Sequence, residues 1–88
     1  MNSLGIIGGG QLGMFICQAA KKIGIKTSIF TENKDFSAKK FCDQYFVGKF
    51  NNIEVLENFI NSVDVFTIET ENIPFQILDI ISKKKKIF

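Results

Sequence analysis

The sequence predicts an α/β layer fold built on a parallel sheet. Short β-branched runs alternate with helical periodicity along the whole chain. The opening run, Leu4-Gly5-Ile6-Ile7, is apolar without alternation, as a strand buried on both faces is. A glycine-rich turn then joins that run to a helix. The length, 88 residues, allows one domain and one modest core, since domains commonly run to roughly 100–150 residues.

The elements follow in order. From Gln11 to Ile23 the apolar residues Leu12, Phe15, Ile16, Ala19, Ala20 and Ile23 fall at helical spacing, predicting a helix with these residues as its inward stripe. Lys21 and Lys22 suit its last turn, where the helix dipole favours cations, and Gly24 suits its C-terminal cap. Residues 26–31 read as a second strand, ended by the turn Glu32-Asn33-Lys34-Asp35. Phe36 to Phe41 predict a short helical turn, and Gln44-Tyr45-Phe46-Val47 a third strand closed by Gly48. Asn51-Asn52 can cap a helix with Ile53, Leu56, Phe59 and Ile60 on one face. Residues 63–68 make a fourth strand. The loop Glu69-Thr70-Glu71-Asn72-Ile73-Pro74 leads to a last helix with Ile77, Leu78 and Ile81 inward, Pro74 suiting its first turn. Ile87-Phe88 look like the opening of another strand. Nothing like a closing helix follows, so a fold interrupted in mid-unit is expected. The ten Phe residues read as core.

Composition excludes several functions. Net charge is +2, too small to imply a nucleic-acid partner, and the four lysines at 83–86 read as a solvated helix end. All 11 basic residues are Lys; there is no Arg and no His. A Ser-His-Asp triad, a His-ligated zinc site and an arginine finger are therefore absent from this chain. No Cys cluster has metal-ligand spacing, and Cys17 and Cys42 read as buried, inert thiols. No window approaches the ~18 uninterrupted apolar residues of a membrane span. With no basic n-region, a secretory signal is not expected either, and the default is a cytoplasmic protein without membrane contact.

Gly8-Gly9-Gly10-Gln11-Leu12-Gly13 fits G-x-G-x-x-G between a strand and a helix. Glycines let the backbone turn tightly, and the free N–H groups at the helix start face an anion: a phosphate, a pyrophosphate or a carboxylate. The same glycines also serve close strand–helix packing alone. Glu32 lies 19 positions after Gly13, where a dinucleotide-binding domain keeps a ribose-binding acid, and also where a solvated turn glutamate is commonplace. Glu69 and Glu71 follow the fourth strand, at the strand ends that face the ligand crevice of open α/β sheets. They can accept hydrogen bonds from ribose hydroxyls or an amine; equally, one can lie in solvent and the other near the next helix N-terminus.

The run Gly5-Ile6-Ile7-Gly8-Gly9-Gly10-Gln11-Leu12-Gly13 resembles the opening of the N5-carboxyaminoimidazole ribonucleotide synthetases, ATP-grasp enzymes of purine biosynthesis. The Gln-Leu-Gly ending is its discriminating part. The stretch Asp64 to Pro74 is similar to the family's Glu-aromatic-Glu-Asn-Val/Ile-Pro segment. Ala38, Asp43 and Val47-Gly48 also fall where the family keeps such residues. The resemblance covers residues 1–88, the first quarter of such an enzyme.

It implies a Rossmann-like, three-layer pre-ATP-grasp domain without the ATP-grasp and C-terminal domains. The whole enzyme would be an ATP-dependent ligase that carboxylates 5-aminoimidazole ribonucleotide with bicarbonate, using Mg2+, as a homodimer. By the resemblance, Gly10, Gln11, Leu12, Glu69 and Glu71 would bind the ribonucleotide; ATP and Mg2+ would belong to the missing domains, and no catalytic residue to this one. Met14 stands where the family carries Arg, which removes a cation beside the turn; Thr70 replaces an aromatic, and Lys49-Phe50 an Asp-Tyr pair. Two other readings remain open: a non-catalytic NAD(P)-binding module with Glu32 on the ribose, and a truncated product with an exposed sheet edge.

Overall fold

The computed structural model describes residues 2–69, 73–84 and 86–87. Its elements run β1 (Ser3–Ile7), α1 (Gln11–Lys22), β2 (Lys26–Thr31), a 3-10 turn (Ser37–Lys40), β3 (Gln44–Val47), α2 (Ile53–Asn61), β4 (Val65–Ile68), α3 (Phe75–Lys84) and β5 (Lys86–Ile87). The five strands form one sheet in the order β3-β2-β1-β4-β5. Every neighbouring pair is parallel. This is the parallel α/β layer fold that the alternation of strands and helices predicts, in the Rossmann-like form that the resemblance implies. Phe88, expected in the last strand, lies outside the described residues.

The sheet separates two apolar layers. On one face Ile6 and Ile29 pack with Cys17 of α1 and Ala38 of the 3-10 turn. On the other, Ile7, Phe30 and Phe66 pack with Leu56, Phe59 and Ile60 of α2 and with Ile77 and Ile81 of α3. Asn52 caps α2, its side-chain oxygen accepting the Val55 N–H at 3.4 Å. Gly24, at φ +77°, ends α1 in the left-handed conformation that glycine adopts at least cost.

The inward stripe expected for α1 holds at Ala20, which is buried, and at Ile16, half-buried against the core, and is corrected at Leu12, Phe15, Ala19 and Ile23. Gly13, Cys17 and Ala20 are the buried residues of α1, whereas Leu12, Phe15 and Ile23 are 56%, 52% and 72% exposed. The buried line is displaced from the apolar stripe by one residue, about 100° around the helix. The physical reason is close approach: small residues let α1 lie near the sheet, and the large apolar side chains stand to one side. Ile53, Phe41 and Phe75 are likewise exposed rather than core. Cys17 is buried as expected and Cys42 is half-buried; burial is the largest influence pushing both thiols up, as suits unreactive groups.

At the amino-terminal rim, carboxylates close the strand ends. Asp64 Oδ2 accepts the N–H groups of Asn2 at 3.0 Å and Ser3 at 3.2 Å, and Asp43 Oδ2 accepts the Thr27 N–H at 2.8 Å. The Asn2 N–H, then the Ser3 N–H, holds the Asp64 carboxyl below the usual carboxylate range. A folded value below the unfolded one stabilises the fold above the unfolded pKa and loses that contribution as pH falls through the folded value. Asp64→Asn is thus expected to flatten the acid side of the stability profile below about pH 4. Thermal melts of both proteins between pH 3 and 6 check this; parallel acid limbs would contradict it.

Candidate functional site

The chain leaves β1 toward β2 and β3, then returns to place β4 on the other side of β1. That reversal opens a crevice at the carboxyl ends of β1 and β4, where open α/β sheets bind ligands. Gly8 follows β1 and donates its N–H to the Phe30 carbonyl at 2.8 Å; Glu69 follows β4 and donates its N–H to the Ile7 carbonyl at 2.9 Å. The two segments meet. The Glu69 Oε1 atom lies 3.0 Å from the point where a Cβ on Gly10 would stand.

The turn needs its glycines for separate reasons. Gly8 has φ +120°, a conformation open to glycine and strained for other residues. At Gly13 a Cβ would stand 2.8 Å from the Gly8 carbonyl oxygen. Gly13→Ala gains about 1 kcal/mol of helix propensity. Overpacking against backbone costs about 1–3 kcal/mol, so the steric effect is expected to win. A lower urea midpoint, with amide shifts at residues 8–10, is the expected result; an unchanged or higher midpoint would refute it.

Gly10 precedes α1 without a side-chain cap. The first-turn N–H groups are therefore available to an acceptor arriving from the crevice. A cavity of about 760 Å³ opens at the carboxyl ends of β1 and β2, lined by the glycine turn, by Glu32, Asp35 and aromatic rings, and by Glu69 from the β4 side. Phe30 and Phe50 stack on its wall with centroids 5.6 Å apart and planes 26° apart. Phe36 packs against the turn, its ring 2.6 Å from the position of a Gly9 Cβ.

The structure brings Gly10 and Glu69 together. Gln11 and Leu12 occupy the first turn of α1 with exposed side chains that do not line the cavity, so only their backbone N–H groups are open to the crevice. Glu71 lies outside the described residues. Glu32 is at the rim, but its Oε2 accepts the Phe50 N–H at 3.1 Å, tying the end of β2 to the loop after β3. One of the oxygens that a dinucleotide ribose would use is thereby engaged. Phe36 and Phe50 as cavity walls escape sequence reasoning, because each reaches the turn or β2 only through tertiary packing.

The cavity's ionisable lining is acidic: Glu32, Asp35 and Glu69, with no Lys among the described lining residues. No group of three or more potential metal ligands stands together among the described residues. A nucleotide triphosphate with its Mg2+ therefore does not fit this wall alone. A neutral or donor-rich group, such as a sugar diol or an amine, fits it well.

A family model for the ribonucleotide synthetase preATP-grasp domain matches residues 1–88. The chain belongs to this family. Among the relatives of this preATP-grasp domain is the N5-carboxyaminoimidazole ribonucleotide synthase of Staphylococcus aureus, 33% identical over 85 residues, covering 97% of this chain and 23% of the relative. A second is the bifunctional purine synthesis protein purC/E of Dictyostelium discoideum, 36% identical over 87 residues, covering 99% and 9%. The crystal structure of the S. aureus N5-carboxyaminoimidazole synthetase superposes with a TM-score of 0.92 at 32% identity, covering 98% of this chain and 23% of that one. The Aspergillus clavatus enzyme, crystallised with ADP and 5-aminoimidazole ribonucleotide, superposes at 0.81 and 26% identity over 98% and 23%. This preATP-grasp chain thus spans less than a quarter of each of these relatives.

Proposed function

We propose that the chain forms one wall of the ribonucleotide site in an ATP-dependent ligase that carboxylates 5-aminoimidazole ribonucleotide with bicarbonate, giving N5-carboxyaminoimidazole ribonucleotide. The observation that carries this reading is the meeting of Glu69 with Gly10 and the uncapped start of α1, at the point where the strand order reverses. Glu69 accepts a hydrogen bond from a ribose hydroxyl or the amine of the ribonucleotide. The N–H groups of Gln11 and Leu12 donate to an oxygen of the same ligand, and Glu71 is a second acceptor from the same loop. Together they hold the ribonucleotide in one orientation and shield it from water.

The chain binds rather than catalyses. Carboxyl activation requires preorganised cations where phosphate charge develops, and this wall supplies carboxylates instead. ATP and Mg2+ belong, in this reading, to the polypeptide that the relatives carry beyond the matched region, and the complete enzyme works as a cytoplasmic homodimer.

Amide spectra of the chain test the reading. 5-Aminoimidazole ribonucleotide is expected to shift the signals of residues 9–12 and Glu69, whereas NAD+ leaves them in place. Shifts centred on Glu32 with NAD+, abolished in Glu32→Ala, would instead establish a dinucleotide module.

A further inference from the structure

The large apolar residues that α1 does not bury form a surface of their own. Leu12, Phe15, Ala19 and Ile23 recur at helical spacing along one flank, and the three larger ones are more than half exposed. The flank runs about 17 Å, at 1.5 Å per residue. Lys21 lies on the opposite flank.

The direction of this flank follows from topology. In a right-handed β1–α1–β2 crossover, the side of α1 one residue step behind its buried line points away from β2, over β4. There the sheet is thinly covered. Register places Thr67 beside Ile6, and Val65 beside Leu4, on the α1 face. Both remain half-buried although β4 lies between two strands. Over β2, by contrast, α1 and the 3-10 turn bury Ile29 completely. α2 and α3 serve the other face.

We propose that this flank and the adjoining face of β4 are the docking surface for one amphipathic helix, supplied by polypeptide of the kind the relatives carry beyond the matched region. Its partner face would be apolar at i, i+3 or i+4, and i+7. Shape selects this occupant over a second copy of the chain: a single helix lying alongside α1 and over Val65 and Thr67 matches the strip in both length and width. The relatives provide the source, since more than three quarters of the S. aureus synthase lies outside the region this chain matches. A docked helix completes the second layer over the sheet, as parallel sheets with both faces covered require.

The test is co-expression of the chain with a polypeptide comprising the S. aureus synthase beyond its matched 85 residues. The chain is expected to co-purify at one to one. Phe15→Asp and Ile23→Asp are expected to lower recovery at least 10-fold, and Lys21→Asp to leave it unchanged. Because Phe15 and Ile23 are exposed, the free variants should melt with the wild type, which separates lost docking from lost folding. No co-purification of the wild-type chain, or full retention by both Asp variants, overturns the proposal. So does a free chain that dimerises and is returned to monomer by Phe15→Asp, which gives the flank to a second copy.

Discussion

Glu69→Gln is expected to weaken binding of 5-aminoimidazole ribonucleotide by about 10- to 100-fold. The change keeps the shape of the side chain and removes its charge, so the quantity tested is one charge-assisted hydrogen bond, worth about 1.5–3 kcal/mol. The carboxylate stands 3.0 Å from the Cβ position of Gly10, within the space a ligand on the first turn of α1 would share. Amide-shift titrations give the dissociation constants of wild type and variant directly. Equal constants would remove Glu69 from the site and with it the convergence on which the functional reading rests. Gly10→Ala provides an independent probe, since its new methyl group meets the same carboxylate and displaces it.

Phe59→Ala is expected to cost about 3–5 kcal/mol of stability. Phe59 is fully buried, its ring centroid 5.6 Å from that of Phe30 and 6.0 Å from that of Phe46. Its Cζ atom also lies 2.9 Å from where a Cβ on Gly5 would stand, so the ring fills the notch that Gly5 leaves in β1. A domain of 88 residues has a total stability of about 4–13 kcal/mol. The deletion therefore consumes a large share of it, and at the lower end unfolds the chain. Urea denaturation followed by circular dichroism reads the midpoint; a loss below about 1 kcal/mol would show that the α2 layer repacks around the void. Phe75, 77% exposed, is the natural control and should tolerate Ala.

Much of this was legible in the residues. Leu4 to Ile7, the glycine turn and the helix after it announce a βα unit through uninterrupted apolarity followed by 3.6-residue periodicity. The placement of Glu69 at the crevice follows from a parallel sheet, because every strand then ends at the same rim. The inward side of α1 was legible only in part. Periodicity reports where apolar residues are, not which of them meets the sheet, and here the contact falls to Gly13, Cys17 and Ala20 while Leu12 and Phe15 stand aside. The partner of Glu32 was hidden for another reason. Its bond to the Phe50 N–H spans 18 residues and depends on how the loop after β3 folds back. Phe36 reaches the turn in a comparable way, with the Ala38 N–H bonded to the Gly9 carbonyl at 3.2 Å.

The strand order also sets a schedule for synthesis. β1 occupies the middle of the sheet, yet its neighbour β4 is encoded some sixty residues later. At a ribosomal pace of about 5–20 residues per second, the glycine segment waits roughly 3–12 s for the strand that brings Glu69. Through that interval the first β-strand can pair on one side only, leaving a raw apolar border in a crowded cell. A chaperone that shields this border should raise the yield of folded chain more than one that acts after release.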